Sequence, residues 1–121
     1  GIGVVLEAFK KLIQHDAGKF RLSIWGTRTE EKYARELSAL EEEYPELISY
    51  EGNYTPDEIP EISKRIDVGL VPSYTETYCL VIREWLSQGV PCITTNYFGS
   101  EIIQDGTNGF VIPTGDADEL C

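Results

Sequence analysis

Helix-like and strand-like patterns alternate along the whole chain, and this alternation restricts the fold more than any other feature. In the first segment, apolar side chains recur at helical spacing, at Val5, Phe9, Leu12 and Ile13. Five short apolar runs have the composition of strands: LSIWG, LISYEG, DVGLVP, VPCITT and GFVIP. Such alternation predicts parallel strands joined by right-handed crossovers. We therefore expect an α/β fold, with a parallel sheet of about five strands and helices on both faces.

Local start and stop signals bound the predicted helices. Thr29 and the two glutamates after it mark the start of a helix over residues 29–44, which is followed by a proline. Thr55 is the expected N-cap of the next helix, and Pro60 should keep that helix short or distorted. Two further helices are expected after the third and fourth strands, over about residues 77–88 and near 99–105.

Length and composition predict one soluble domain. A chain of 121 residues that is 41% hydrophobic has room for a single core. The longest apolar run falls well short of the roughly 20 residues that cross a bilayer, and the opening GIGVVLEAF has no signal-peptide pattern. The three cysteines are an odd number without C-x-x-C spacing, so neither a disulfide framework nor a zinc site is indicated. We expect an unexported protein of the reducing cytosol.

The charge balance argues against nucleic acid as a partner. Ten basic and 21 acidic residues give a formal net charge of -11, which repels phosphate backbones and anionic lipid at long range. A local phosphate site is still compatible with this charge, because helix N-termini attract anions over short distances. The composition therefore leaves nucleotide ligands open.

Two glutamates, Glu76 and Glu84, stand eight positions apart in the stretch that follows the third strand. On one helix they would be separated by about 12 Å of rise and about 80° of rotation. That exceeds the roughly 5 to 9.5 Å between the carboxylates of glycosidases, so a two-carboxylate hydrolase is disfavoured. Two acceptors for distant hydroxyl groups of one extended ligand fit the spacing. Between them, the expected first helical turn offers backbone N–H groups to a diphosphate, at Thr77, Tyr78, Cys79 and Leu80.

Structural roles for the same residues remain open at this point. Glu76 could simply favour the dipole of the following helix. Glu84 lies among apolar neighbours, and a buried carboxylate needs a partner, which the adjacent Arg83 is badly placed to supply. His15, the single histidine, is read as an ordinary helix-end residue, and no D-x-D or ligand cluster predicts a metal.

The residues around the two glutamates match a known pattern. The segment PSYTETYCLVIREWLSQGVPCITT, with its continuation to GTNGFVIPTGDADEL, resembles the carboxyl-terminal domain of retaining glycosyltransferases of family 4, which have the GT-B fold. The family's E-x7-E motif falls on Glu76 and Glu84, between a D-V-x-x-x-P-S strand and G-V-P-x-I-x-T. The resemblance extends over nearly the whole chain and implies a Rossmann-like domain.

The resemblance implies a role for each matched position. Glu76 would be the catalytic glutamate that contacts hydroxyls of the transferred sugar, and Glu84 would accept from the ribose. The amides of Thr77, Tyr78, Cys79 and Leu80 would meet sugar hydroxyls and the diphosphate. The base would lie near Asn53 and Tyr54, which follow the second strand. No cofactor or metal is expected; the donor substrate is a nucleoside-diphosphate sugar.

The resemblance also implies what the chain lacks. Residues 1–121 would be a single donor-binding domain, truncated at both ends and inactive alone, while an amino-terminal domain would bind the acceptor sugar or glycolipid. The family usually carries an Arg and a Lys before the segment that begins here with Gly1, and this pair neutralises the diphosphate. The intact enzyme would be cytoplasmic, with any contact to the inner membrane face made by the missing part.

Other classes of protein fit this sequence less well. A nicotinamide-binding Rossmann domain would need G-x-G-x-x-G at the first strand-to-helix turn, and WGTRTE lacks the later glycines. A receiver-type or interaction domain gives no reason for the placement of Glu76 and Glu84. The main alternative is a degenerate, noncatalytic glycosyltransferase domain that acts as a partner module.

Overall fold

The computed structural model describes residues 1–16, 18–27 and 30–121. The helices and strands run, in chain order, α1 (Ile2–Asp16), β1 (Leu22–Trp25), α2 (Glu31–Glu43), β2 (Ile48–Gly52), α3 (Ile59–Ser63), β3 (Gly69–Val71), α4 (Leu80–Ser87), β4 (Cys92–Thr95), β5 (Gly109–Ile112) and α5 (Ala117–Leu120). Short 3-10 turns lie at Pro56–Glu58 and Ser100–Ile102. All five strands expected from the apolar runs are present.

All the strand pairs are parallel, which confirms the predicted α/β class. Hydrogen bonds join the strands into two sheets, one of β1 and β2 and one of β3, β4 and β5 with β4 in the centre. The expectation of one continuous sheet is therefore refined. Periodicity identifies strands, but it carries no information about which strand edges meet.

The core consists of clusters that follow this division. Around the two-stranded sheet, α1 and α2 bury apolar side chains against β2, among them Leu6, Phe9, Leu37, Leu40 and Ile48. Around the three-stranded sheet, α3 and α4 form the other large cluster, with Ile59, Ile62, Ile82, Trp85 and Cys92. A small third cluster joins α1 to α5 through Val4, Ala8 and Ala117. Helix α1 therefore ties the two ends of the chain together.

One face of the three-stranded sheet is only partly covered. Leu70, Ile93 and Phe110 stand in register across β3, β4 and β5, and Leu70 and Phe110 are exposed. The neighbouring positions on each strand point to the opposite face, where Gly69 lets the Trp85 ring of α4 approach closely. Helix α4 is thereby seated against the β3 backbone.

The local signals for the third helix are confirmed in part, because Thr55 caps the 3-10 turn Pro56–Glu58 and Glu58 occupies the N-cap position of α3 itself. The Glu58 carboxylate accepts from the Thr55 backbone N–H at 2.7 Å and from its hydroxyl at 2.9 Å. These two bonds, both accepted by Glu58, stabilise the 3-10 turn at its start. Pro60 lies in the first turn of α3, and the helix is only five residues long, as the proline predicts.

Other predicted helix boundaries shift. Thr29, the expected start signal of α2, lies outside the described residues, and Glu30 occupies the N-cap position. The helix expected near 99–105 is reduced to the turn Ser100–Ile102. His15 lies in the last turn of α1. Within the described ranges, no helix combines the length and the apolar character that a membrane crossing requires.

Candidate functional site

The loop between β3 and α4 carries the first glutamate of the predicted site. Helix α4 begins at Leu80, and Cys79 is its N-cap residue, so the helix expected from residue 77 starts three residues later. Thr77 and Tyr78 therefore precede the helix instead of forming its first turn.

Glu76 is half-buried, and its carboxylate accepts one hydrogen bond from the residues that the structure describes. The Ser73 hydroxyl donates to its carboxylate at 2.8 Å, which leaves the carboxylate able to accept further bonds. The start of α1 lies beside the same loop, because a Cβ atom added to Gly1 would stand 2.0 Å from the Pro72 carbonyl oxygen. The segment that precedes α1 and the loop after β3 thus meet at one edge of the fold.

The backbone near the start of α4 contains N–H groups that are available as hydrogen-bond donors. Among the described residues, no acceptor is hydrogen-bonded to the backbone N–H groups of Thr77, Tyr78, Cys79 and Leu80. Unpaired N–H groups at a helix start, together with the helix dipole, favour an anion or a ligand oxygen. The Tyr78 ring lies under the guanidinium of Arg83, 4.9 Å from the ring centroid to the Cζ atom.

Glu84 lies on α4, half-buried, opposite a tyrosine that follows β2. Burial raises the pKa of the Tyr54 hydroxyl, and the nearby negative charge of Glu84 raises it further. The Tyr54 ring leans on Trp85, with 6.3 Å between the ring centroids. In the part of the chain that the structure describes, no hydrogen bond or ion pair engages the Glu84 carboxylate. The structural role considered for Glu84, pairing with an internal partner, is therefore not observed.

Asn53 and Tyr54 are adjacent in sequence but face different surroundings. The Asn53 side-chain oxygen accepts from the Thr27 hydroxyl at 3.0 Å, which links the carboxyl ends of β2 and β1. Tyr54 instead joins the cluster around α4. The structure thus brings Tyr54 together with Glu84 and Cys79, and it places Asn53 at the neighbouring strand end.

The sequence motifs did not identify the polar residues at the end of β4. Thr94 and Thr95 are fully buried, and each binds a carbonyl group at the exit of β3. The Thr94 hydroxyl donates to the Val71 carbonyl at 2.9 Å, and the Thr95 hydroxyl donates to the Ser73 carbonyl. Two polar residues at the end of an otherwise apolar strand were the available signal.

A second set of contacts links Thr94 and the segment that follows β4 to the residue before α4. The hydroxyls of Tyr97 and Thr94 share a hydrogen bond of 2.8 Å. Burial and a hydrogen bond with the Cys79 thiol raise the pKa of Tyr97. The N-cap residue of α4 is thereby tied to the segment after β4.

The three thiols lie in different environments, and this predicts an order of reactivity. Cys121 is exposed, Cys79 is half-buried and Cys92 is buried. Burial raises the pKa of the Cys92 thiol to about 11, so at pH 8 roughly one molecule in a thousand carries the reactive thiolate there. We expect Ellman's reagent to modify Cys121 first, Cys79 more slowly and Cys92 only on unfolding.

Thiol counting with and without denaturant, followed by peptide mass mapping, checks this order. Replacement of Cys121 by serine should remove the fast phase and leave the other two unchanged. Rapid labelling of Cys92 in the folded protein would contradict the packing described for β4.

The groups gathered at the strand ends are carboxylates, hydroxyls and amides. Among the described residues, no three His, Cys, Asp or Glu side chains are grouped so that they could hold a metal ion. A polar groove of about 220 Å³ lies elsewhere, beside β1 and β2, and is lined in part by Arg21, Ser49 and Arg65. None of the predicted site residues lines that groove, so the candidate site is the open surface at the carboxyl ends of β2, β3 and β4, where ligands of parallel sheets bind.

Comparison with known proteins identifies the family to which the chain belongs. The family described as "Glycosyl transferases group 1" matches residues 1–121. A UDP-Gal:alpha-D-GlcNAc-diphosphoundecaprenol alpha-1,3-galactosyltransferase of Escherichia coli is 38% identical over 65 residues, which are 53% of this chain and 17% of that protein. The chain therefore matches a small part of this relative.

Solved structures share the fold. The crystal structure of TarM superposes with a TM-score of 0.82 at 16% identity, over 98% of this chain and 24% of TarM. The structure of HepE from Anabaena in complex with UDP-glucose superposes with a TM-score of 0.67 at 18% identity, over 97% of this chain and 43% of HepE. At these identities the likeness establishes the fold.

Proposed function

Because the chain belongs to the glycosyl transferases group 1 family, we propose that it is the donor-binding domain of a retaining, family 4 transferase of the GT-B type. The observation that carries the proposal is the placement of the two glutamates of the E-x7-E motif. Glu76 lies in the loop before α4, and Glu84 lies on the helix next to Tyr54, where its carboxylate has no hydrogen-bond or ion-pair partner among the described residues. Both stand at the carboxyl edge of the strands, where this fold class binds its ligands.

The donor that we propose is a UDP-sugar. Two of the similar proteins support this choice: the galactosyltransferase of Escherichia coli is named for UDP-Gal, and the Anabaena structure holds UDP-glucose. Tyr54 supplies an aromatic surface beside Glu84, and Asn53 supplies a polar group near the same strand end. We assign the base to this region and the ribose hydroxyls to Glu84.

The proposed reaction depends on electrostatics and position. When the bond between the anomeric carbon and the diphosphate breaks, its electron pair goes to the phosphate oxygen and positive charge builds on the sugar ring. The free amides at Thr77 to Leu80 and the dipole of α4 stabilise the departing diphosphate. Glu76 accepts from hydroxyls of the transferred sugar and holds the ring in place. No step in this scheme requires a metal.

The acceptor site is proposed to lie in another domain. The chain spans 17% of its curated relative and 24% to 43% of the two solved structures described above, so the acceptor and the whole reaction are inferred for the intact protein. Gly1 lies against Pro72, and a basic pair just before Gly1 would stand beside the Glu76 loop. The acceptor is proposed to be a sugar or a glycolipid, with the intact enzyme at the cytoplasmic face of the membrane.

A titration followed by NMR tests donor binding directly. UDP-galactose, UDP-glucose, GDP-mannose and ADP-glucose are added separately to the 121-residue chain and to its Glu84→Gln variant. We expect shifts around residues 76–84 with the UDP-sugars, and a dissociation constant about 10- to 100-fold higher in Glu84→Gln, because a charge-assisted hydrogen bond is lost.

Glu42→Gln, an exposed change on α2, is the matched control and should bind as the native chain does. If neither the chain nor the intact protein binds any donor, the proposed function is wrong. If the intact protein binds donor but transfers no sugar, the domain is a noncatalytic relative of the enzyme.

A further inference from the structure

We propose that Thr95 is a positioning residue that holds the Glu76 carboxylate in place through Ser73. This inference rests on the proposed function and extends it to a residue that does not touch the substrate. The Thr95 hydroxyl donates to the Ser73 carbonyl, and the Ser73 hydroxyl donates to the Glu76 carboxylate at 2.8 Å. Two hydrogen bonds therefore lead from β4 to the catalytic glutamate.

The first member of this relay is rigidly mounted. Thr95 is the last residue of β4, the central strand of its sheet, and it pairs in register with Ile112 of β5. Its side chain is fully buried. A buried hydroxyl without a hydrogen-bond partner costs free energy. The folded state therefore favours the bond from the Thr95 hydroxyl to the Ser73 carbonyl.

Thr94 holds the same strand exit from the other face of the sheet. Successive side chains of a strand point to opposite faces, and the hydroxyl of Thr94 binds the Val71 carbonyl while that of Thr95 binds the Ser73 carbonyl. These carbonyls lie at the end of β3 and just beyond it, where strand pairing has stopped. Two hydrogen bonds from β4 therefore hold the backbone at Val71 and Ser73, shortly before Glu76.

The chemical consequence concerns the two oxygens of the Glu76 carboxylate. The Ser73 hydroxyl donates to Oε1, which restrains the position of the carboxylate and leaves its other acceptor sites, including those of Oε2, for a sugar hydroxyl. Misplacement of a catalytic group by about 1 Å can cost on the order of 100-fold in rate. Loss of the Thr95 hydroxyl removes the anchor of Ser73 but not the carboxylate, so it should lower turnover more than donor affinity.

The test compares two substitutions of Thr95 in the intact protein with a UDP-sugar donor. Thr95→Val keeps the shape of the side chain and removes the hydroxyl, whereas Thr95→Ser keeps the hydroxyl. We expect kcat to fall about 10- to 100-fold in Thr95→Val with the donor KM changed less than about 3-fold, and Thr95→Ser to restore most of the turnover. Thr107→Val, at an exposed turn, is the control for the chemical change.

A double variant tests whether the two residues act in one relay. Ser73→Ala alone should lower kcat, and Ser73→Ala combined with Thr95→Val should be little worse than the more damaging single change. Crystal structures of ligand-free Thr95→Val and Thr95→Ser give a readout that is independent of turnover. The Ser73 carbonyl and the Glu76 carboxylate should be displaced in the first and retained in the second.

The possible results separate the two proposals. If the Thr95→Val substitution displaces Glu76 but the intact protein transfers no sugar, the hydrogen-bond relay from Thr95 to Glu76 is supported and the proposed function is wrong. Native kcat in Thr95→Val, an unmoved Glu76, or equal losses in the valine and serine variants would overturn the role of Thr95.

Discussion

Replacement of Glu76 by glutamine in the intact transferase is expected to lower kcat about 10²- to 10³-fold, with a much smaller change in the donor KM. Glutamine keeps the size of the side chain and can still accept from Ser73, but it removes the negative charge. Under the proposed function, that charge strengthens the hydrogen bonds to the sugar as positive charge develops on the ring, and the loss of one such aimed group costs about this much.

Steady-state kinetics with varied UDP-sugar measures this effect, and Glu84→Gln is the informative comparison. Glu84 is proposed to hold the ribose, which is remote from the reacting bond, so its loss should raise the donor dissociation constant more than it lowers kcat. A matched exposed change, Glu42→Gln, should leave both constants unaltered. A Glu76→Gln enzyme with native kcat would remove Glu76 from the chemistry.

Gly109→Ala is expected to destabilise the domain by about 2 to 6 kcal/mol. A Cβ atom at this position would lie 1.9 Å from the Cys92 carbonyl oxygen, and the backbone φ is 158°. The neighbouring atoms are strand backbone, which cannot move without breaking the pairing of β4 with β5. Overpacking and backbone strain each cost about 1 to 3 kcal/mol, and both apply here.

Urea unfolding of the native chain and the variant measures the difference. Gly106→Ala provides the control, because Gly106 also has a positive φ, 71°, but nothing lies within 4 Å of its added Cβ. Its cost should be only about 1 to 2 kcal/mol from the left-handed backbone. Equal losses in the two variants would mean that the contact with Cys92 does not control stability at β5.

The two predictions concern the same architectural element. Strand β4 carries Cys92, against which Gly109 is packed, and ends at Thr95, from which the hydrogen bonds lead to Glu76. Damage to its pairing should therefore reach the site as well as the core.

Much of the fold could be read from local patterns. The five apolar runs are strands, the helical spacing in the first segment is α1, and the cap at Thr55 forms as expected. These features depend on interactions between residues close in sequence, which composition and spacing encode directly. The assignment of Glu76 and Glu84 to one site also came from spacing and from the resemblance, and it stays a prediction until donor binding is measured.

The sequence by itself determined the elements, their order and the positions of the two glutamates. Only the tertiary structure decided that α4 begins at Leu80, that Tyr54 lies next to Glu84, and that Thr95 anchors the loop of Glu76. The last two depend on groups that are 30 and 22 positions apart in the chain, Tyr54 with Glu84 and Ser73 with Thr95. Helix propensity favours an earlier start for α4, and neither propensity nor spacing encodes which distant groups pack together and pair their buried hydroxyls once the strands align.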